Sequence, residues 1–155
     1  MVAVAAAVGV TSMGAGACGA RSGSRALAVL RADPLLAAPA RATRELLRNE
    51  RGPKNGVLGA SSAYVTVFWA SGASVTAVAQ DYRRRFTTAY RLHTEFESPE
   101  HVVLSGIAAG DKVNVRVEIT SAKPIRQMQR EKAVAALPVA LPGAASYTQV
   151  TVSSG

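Results

Sequence analysis

Four side chains that can bind metals or move protons lie close together in the middle of the chain: His93, Glu95, Glu97 and His101. Side chains alternate between the two faces of a strand, so a strand over 93–97 would place His93, Glu95 and Glu97 on one side. Imidazole and carboxylate groups hold divalent metals and serve acid–base catalysis. A half-exposed strand shows the same alternation, so we favour a solvated strand face, with a metal-dependent enzyme as the distant alternative.

Motifs for other chemistry are missing from the sequence. It contains no Gly-x-Ser-x-Gly nucleophile elbow, no paired-cysteine metal motif and no phosphate-binding loop. Residues 14–19 have the spacing of a dinucleotide-binding G-x-G-x-x-G, but no strand runs directly into the first glycine and hairpins follow instead of βαβ units. We therefore predict a protein that is not an enzyme, with no catalytic residue and no cofactor.

Basic residues dominate the charge, with 18 Lys and Arg against 10 Asp and Glu, a formal net charge of +8. The arginine run 83–85 is the densest, and a solvated helix face is its favoured interpretation. The functional alternative is an anionic partner such as lipid or wall polymer, whereas nucleic acid is not predicted because no aromatic platform accompanies the charge. The candidate contacts for such a partner are Arg83, Arg84, Arg85, Lys123, Arg126 and Arg130.

Cys18, the only cysteine, follows a run of small and apolar residues that is too short to span a bilayer. Such a run is typical of an export signal. Ala15-Gly16-Ala17-Cys18 resembles the lipobox of bacterial lipoproteins, although Ala15 stands where that family prefers a large aliphatic residue and no basic residue precedes Arg21. The resemblance implies lipid attachment at Cys18 and an extracytoplasmic protein anchored at the cell envelope. Ala15-x-Ala17 also fits an ordinary signal-peptidase site, which would make the protein secreted.

Composition divides the chain into four parts. We predict a signal peptide over 1–17, a lipidated cysteine with a flexible tether over 18–24, an N-terminal extension with short helices over 25–56, and a globular domain over 57–155. Within the extension, Asp33 followed by Pro34 is a helix start signal. Residues 40–51 fit a helix or a strand equally well.

Hydrophobic spacing predicts the elements of the domain. Apolar residues at i, i+3, i+4 and i+7 predict a helix over about 74–91 with Ser74 as its cap, and its aromatic residues join Trp69 as core or pocket candidates. Alternation predicts strands over 63–70, 93–97, 101–107, 113–120 and 147–153. We therefore predict an α+β fold, one amphipathic helix on an antiparallel sheet in the order β-α-β-β-β. The core or pocket aromatics are Trp69, Tyr82, Phe86 and Tyr90.

The chain resembles two families. The Ala/Gly-rich start with its cysteine and Leu30-Arg31-Ala32-Asp33-Pro34-Leu35 resemble small exported lipoproteins of high-GC Gram-positive bacteria, which implies export and anchoring and supplies no catalytic residues. We expect a domain that binds without catalysis, with another envelope protein, an anionic polymer or the membrane surface as its partner. Residues 53–153 resemble a fibronectin type III module, through the strand around Trp69 and the segment 104–117. That second resemblance implies an all-β sandwich acting as a secreted interaction or spacer module.

Overall fold

The computed structural model describes residues 17–56, 59–86, 90–108, 113–123 and 141–155. These residues form two α-helices, one 3-10 turn and eight strands. In chain order the elements are α1 (Ala17–Arg31), the 3-10 turn (Pro34–Leu36), β1 (Ala42–Arg51), β2 (Lys54–Gly56), β3 (Gly59–Ser61), β4 (Tyr64–Ser71), α2 (Val75–Phe86), β5 (Tyr90–Glu97), β6 (His101–Ala108), β7 (Val113–Ser121) and β8 (Ser146–Ser154).

Six of the strands form one antiparallel sheet in the order β1-β4-β8-β7-β6-β5, and β2 and β3 form a separate hairpin. The α+β class and the antiparallel sheet agree with the prediction. The predicted order β-α-β-β-β lacks β1, the β2–β3 hairpin and one strand after the helix. The four stretches 93–97, 101–107, 113–120 and 147–153, each predicted to be a strand, correspond to the four strands that follow α2 in the structure, β5 to β8. The predicted strand over 113–120 is β7, and the ambiguous stretch 40–51 is largely the edge strand β1.

Alternation within the central strands makes one face of the sheet apolar. Neighbouring residues in register across four strands are Val67, Val150, Val117 and Leu104, all fully buried. Leu30 of α1 and Tyr82 of α2 belong to the same buried cluster, so both helices cover this one face. A strand that alternates apolar and polar residues places its apolar side chains on one side of the sheet, and helices that pack against that side bury them.

Helix α2 begins as predicted and ends earlier. The Ser74 hydroxyl accepts a hydrogen bond from the backbone N–H of Ala77 at 3.3 Å, which caps the first turn. The helix ends at Phe86, and Tyr90 is the first residue of β5, so the predicted extension to 91 is wrong. Tyr90 fits the apolar spacing of the helix because it also packs on the core: its ring contacts the ring of Phe86 edge-on, with ring centroids 5.8 Å apart.

The N-terminal part of the chain joins the same unit. Helix α1 includes residues 18–24, for which the sequence predicts a flexible tether. The same helix is anchored in the core by Leu30, which is buried. Asp33 caps the 3-10 turn as predicted, its carboxylate accepting from the N–H of Leu35 at 2.9 Å. Strand β1 pairs with β4 along its length, so the predicted extension 25–56 contributes a strand to the sheet.

The alternative prediction of a fibronectin type III-like sandwich is wrong. The described strands do not form two facing sheets of a sandwich, since α2 and α1 pack on a single six-stranded sheet. The segment 104–117 that carried the resemblance forms parts of β6 and β7, an antiparallel pair whose alternation occurs in many folds. Trp69, assigned to the sandwich core by that resemblance, is only partly buried.

Replacement of Gly106 by alanine tests the contact between α2 and the sheet. An added Cβ would lie 2.4 Å from Cε1 of Phe86, whose ring is fully buried and has little room to move. We expect Gly106→Ala to lower the free energy of unfolding by about 1–3 kcal/mol in urea denaturation, as overpacked cores do. At the control position Gly72, where the nearest atom would be 3.9 Å away, alanine should leave stability unchanged or raise it by up to about 1 kcal/mol. Equal effects at both positions would contradict this packing.

Candidate functional site

The sheet face opposite the helices, here called the open face, carries the residues best placed for binding. One row of neighbouring residues crosses all six strands on this face, and it runs Phe96, Val103, Glu118, Gln149, Phe68, Leu47. Strands lie about 4.8 Å apart, so the row is about 24 Å long. Its ends are apolar and its centre is polar.

Large apolar side chains are exposed on the open face. Phe96 is 50% exposed, Leu47 49% and Ile107 41%. At one end of this face the buried cluster around Tyr147 is covered by Leu46 and Leu141, and the hydroxyl of Tyr147 accepts a hydrogen bond from the N–H of Leu141 at 2.8 Å. Neither described helix packs on the open face, because both belong to the core on the other side.

The structure separates the predicted metal candidates. An irregularity between Thr94 and Phe96 inserts an extra residue into β5, so Glu97 pairs with Val102 and lies on the helix side, where it forms an ion pair with Arg83 at 2.8 Å. The expectation that His93, Glu95 and Glu97 share one face is therefore wrong, because a bulge shifts the alternation by one residue. His93 pairs with Ser105 on the open face.

The remaining members have partners other than each other. Glu95 accepts a hydrogen bond from Arg116, and Nε2 of His101 lies 3.1 Å from Oε1 of Glu118. The His101 ring also contacts the ring of Phe96, with centroids 5.4 Å apart. In the described part of the chain no three His, Cys, Asp or Glu residues come close enough together to hold a metal ion.

The arginine run 83–85 is largely engaged within the protein. Arg85 donates to the backbone carbonyls of Ala37 at 3.0 Å and Ala38 at 2.7 Å, pairs with Asp81 at 2.6 Å and lies over the ring of Tyr82. Arg84 is 72% exposed and lies 3.5 Å from Asp81. The run therefore combines a structural clamp at Arg85 with an exposed cation at Arg84, and its binding of an anionic partner stays a prediction.

The predicted aromatic group lies on the helix side of the sheet. Tyr82 and Phe86 are fully buried core residues, and burial raises the pKa of the Tyr82 hydroxyl well above its ordinary value. Tyr90 is partly buried, and its hydroxyl donates to the carboxylate of Asp33; burial, followed by this hydrogen bond, raises the pKa of Tyr90. Trp69 is partly buried against the same core.

The other predicted site residues are spread along the chain. Lys123 is 86% exposed and lies 3.7 Å from Glu100. Cys18 lies in the first turn of α1, while Arg126, Arg130 and residues 1–16 of the predicted signal peptide lie outside the described residues. The sequence patterns did not indicate Leu47 and Ile107 on the open face. Pairing the predicted strands 101–107 and 113–120 in register would have placed Ile107 opposite the polar Asn114 and therefore on the open face. Leu47 lies in the stretch 40–51, whose sequence does not decide between helix and strand.

Comparison with known proteins assigns no family, because no family model, no curated protein and no solved structure matches the chain. The resemblance to exported lipoproteins therefore stays a prediction. None of the described helices is long and apolar enough to cross a membrane.

Substitution of Arg85 tests whether the arginine run is structural. We expect Arg85→Gln to lower the free energy of unfolding by about 1–2 kcal/mol, because the carbonyls of Ala37 and Ala38 lose their donor. Arg85→Lys should not restore this stability, since one ammonium cannot reproduce the planar fork of a guanidinium. The neighbouring Arg84→Gln should change it by no more than about 0.5 kcal/mol. Chemical denaturation measures all three variants, and equal losses at 84 and 85 would refute the clamp.

Proposed function

We propose that this protein is exported, lipid-anchored at the cell envelope through Cys18, and acts there without catalysis as a binding domain. The open face is its binding surface, and its partner is an acidic protein. The observation that supports this proposal best is the row from Phe96 to Leu47, whose two end residues are large, apolar and about half exposed on a sheet face that neither described helix covers.

The composition of the open face favours a protein partner. Exposed aromatic and large aliphatic side chains mark interaction surfaces, and protein interfaces are enriched in aromatic residues and arginine. A row about 24 Å long is comparable to the width of a standard interface, in which each partner buries about 800 Å². The hydrogen bond between the hydroxyls of Thr66 and Thr151, at 3.0 Å, holds the centre of the face in place.

The charges of the open face favour an acidic partner. Its two carboxylates, Glu95 and Glu118, already contact Arg116 and His101. Arg44 and Arg51, which share this face through their pairing with Ala70 and Tyr64, form no ion pair with any described residue. The exposed positive charge is therefore uncompensated, and complementary charge on a partner raises the association rate and fixes orientation.

Processing at Cys18 tests the proposed export and lipid anchoring. We expect the protein produced in a high-GC Gram-positive host to be cleaved before Cys18, to carry acyl groups detectable by intact mass, and to enter the detergent phase. Cys18→Ala should remove the acyl mass and the partition into detergent, because the thiol is the only one in the chain. A wild-type chain that is unprocessed, or is released without acyl mass, would refute the anchor.

Crosslinking in the same host tests the surface. A photo-reactive amino acid in place of Phe96 on the open face should give a discrete adduct with an acidic protein. The same residue in place of Gln80, exposed on α2, should not. The adduct should disappear when Arg44 and Arg51 are both replaced by glutamate, with the far-ultraviolet circular dichroism unchanged. Adducts of equal yield at 96 and 80, or none at 96, would refute the open face as a docking surface.

A further inference from the structure

Both histidines of the chain lie on the open face, and the sequence contains no other histidine. His93 pairs with Ser105 across β5 and β6, and His101 lies beside Glu118, which belongs to the row that crosses this face. Between about pH 5.5 and 7.5 carboxylates stay ionised and lysines and arginines stay protonated, so histidine is the side chain whose charge ordinarily changes. Acidification in this range therefore adds positive charge to the open face.

His101 lies between a carboxylate and an exposed aromatic ring. Its Nε2 is 3.1 Å from Oε1 of Glu118, and its ring centroid is 5.4 Å from that of Phe96. The neighbouring residue Glu100 is paired with Lys123 at 3.7 Å. While the imidazole is neutral, the charge of Glu118 in the middle of the row is not balanced by its contact with His101. Protonation turns that contact into an ion pair.

His93 lies among arginines and a paired carboxylate. Ser105 faces it from β6 and carries no charge. On β5, Arg91 and Glu95 share the open face with His93, and Glu95 is paired with Arg116 of β7. No unpaired carboxylate among the described residues faces His93, so protonation there adds a positive charge that the protein itself does not balance.

Protonation of the two imidazoles doubles the formal charge of the open face. The six strands carry four arginines and two glutamates on this face, which gives a formal charge of +2 while both imidazoles are neutral. Two imidazolium groups raise it to +4. The arginines are Arg44, Arg51, Arg91 and Arg116, and the glutamates are Glu95 and Glu118.

We propose that acidification strengthens docking on the open face, with His93 and His101 as the groups that take up the protons. This inference rests on the proposed function, because it concerns the acidic partner of that same face. A partner's carboxylate close to an imidazole favours the protonated form, and by linkage the protonated protein binds an acidic partner more tightly. His101 has a second effect, because Glu118 repels an acidic partner less once it is in an ion pair.

An acidic peptide tests the pH dependence directly. The probe is a peptide of six aspartates, whose side chains stay ionised above about pH 5. It is added to the full chain carrying Cys18→Ala, and the backbone ¹H–¹⁵N signals of the open face are followed at about pH 5.5 and pH 7.5 at constant ionic strength. We expect a dissociation constant at least about threefold lower at pH 5.5, the scale of one or two exposed ion pairs. Equal dissociation constants, or no saturable shift of the open-face signals at either pH, would overturn the proposal.

Substitutions separate the two histidines from the overall charge of the protein. The double variant His93→Gln and His101→Gln should bind the peptide equally at both pH values, with the affinity that the unsubstituted face has at pH 7.5. Adding Gln80→His to this double variant places a histidine on the exposed side of α2 and should not restore the pH dependence. A pH dependence that survives the double variant, or returns with Gln80→His, would contradict the assignment. The backbone signals show that each variant is folded, and the comparison of the two pH values on the unsubstituted face needs no histidine variant.

The outcome is separable from that of the crosslinking experiment. An adduct at position 96 in the host, together with peptide binding that does not depend on pH, would exclude the effect of acid and leave the docking surface in place. Peptide binding that strengthens at pH 5.5 without any adduct in the host would instead exclude the acidic protein as partner and leave the acid-dependent charge of the open face.

Discussion

The rest of the structure depends on the burial of one apolar sheet face under two helices. Valines on β4, β8 and β7 form rows that expose apolar surface on one side, and α1 and α2 both cover that side. At Gly106 the ring of Phe86 lies directly against the backbone of β6. Both described helices pack on this face, and on the opposite face Phe96, Ile107 and Leu47 are exposed to solvent.

Polar contacts and two buried leucines together hold the segment between α1 and β1 in place. Asp81 accepts a hydrogen bond from the N–H of Ala40 at 3.1 Å and also pairs with Arg85, which binds the carbonyls of Ala37 and Ala38. Leu35 and Leu36 anchor the turn in the core, and Asp33 connects it to Tyr90. Through Asp81 and Arg85, α2 therefore helps to fix the position of this segment.

Sequence patterns predicted the elements whose partners are close in the chain or whose alternation is undisturbed. The strand over 113–120 and the start of α2 at Ser74 belong to this group. Strand β1 was left open because its sequence is polar on both sides, and only its pairing with β4 selects a strand. The position of Glu97 was wrong because a bulge has no signature in the sequence of β5. The row across the open face joins residues from Leu47 to Gln149, and no local pattern could have assembled it.

Because helix α1 begins next to Cys18, an anchored protein would have its lipid attached to one side of the sheet. Had residues 18–24 been a flexible tether, the domain would rotate freely relative to the membrane. In a helix that rises 1.5 Å per residue, Cys18 lies about 18 Å along the axis from Leu30, which is buried in the core. A lipid on Cys18 would therefore pull on an element packed against the helix side of the sheet. The open face lies on the other side of the sheet from that attachment, so anchoring and docking would use opposite sides of one molecule.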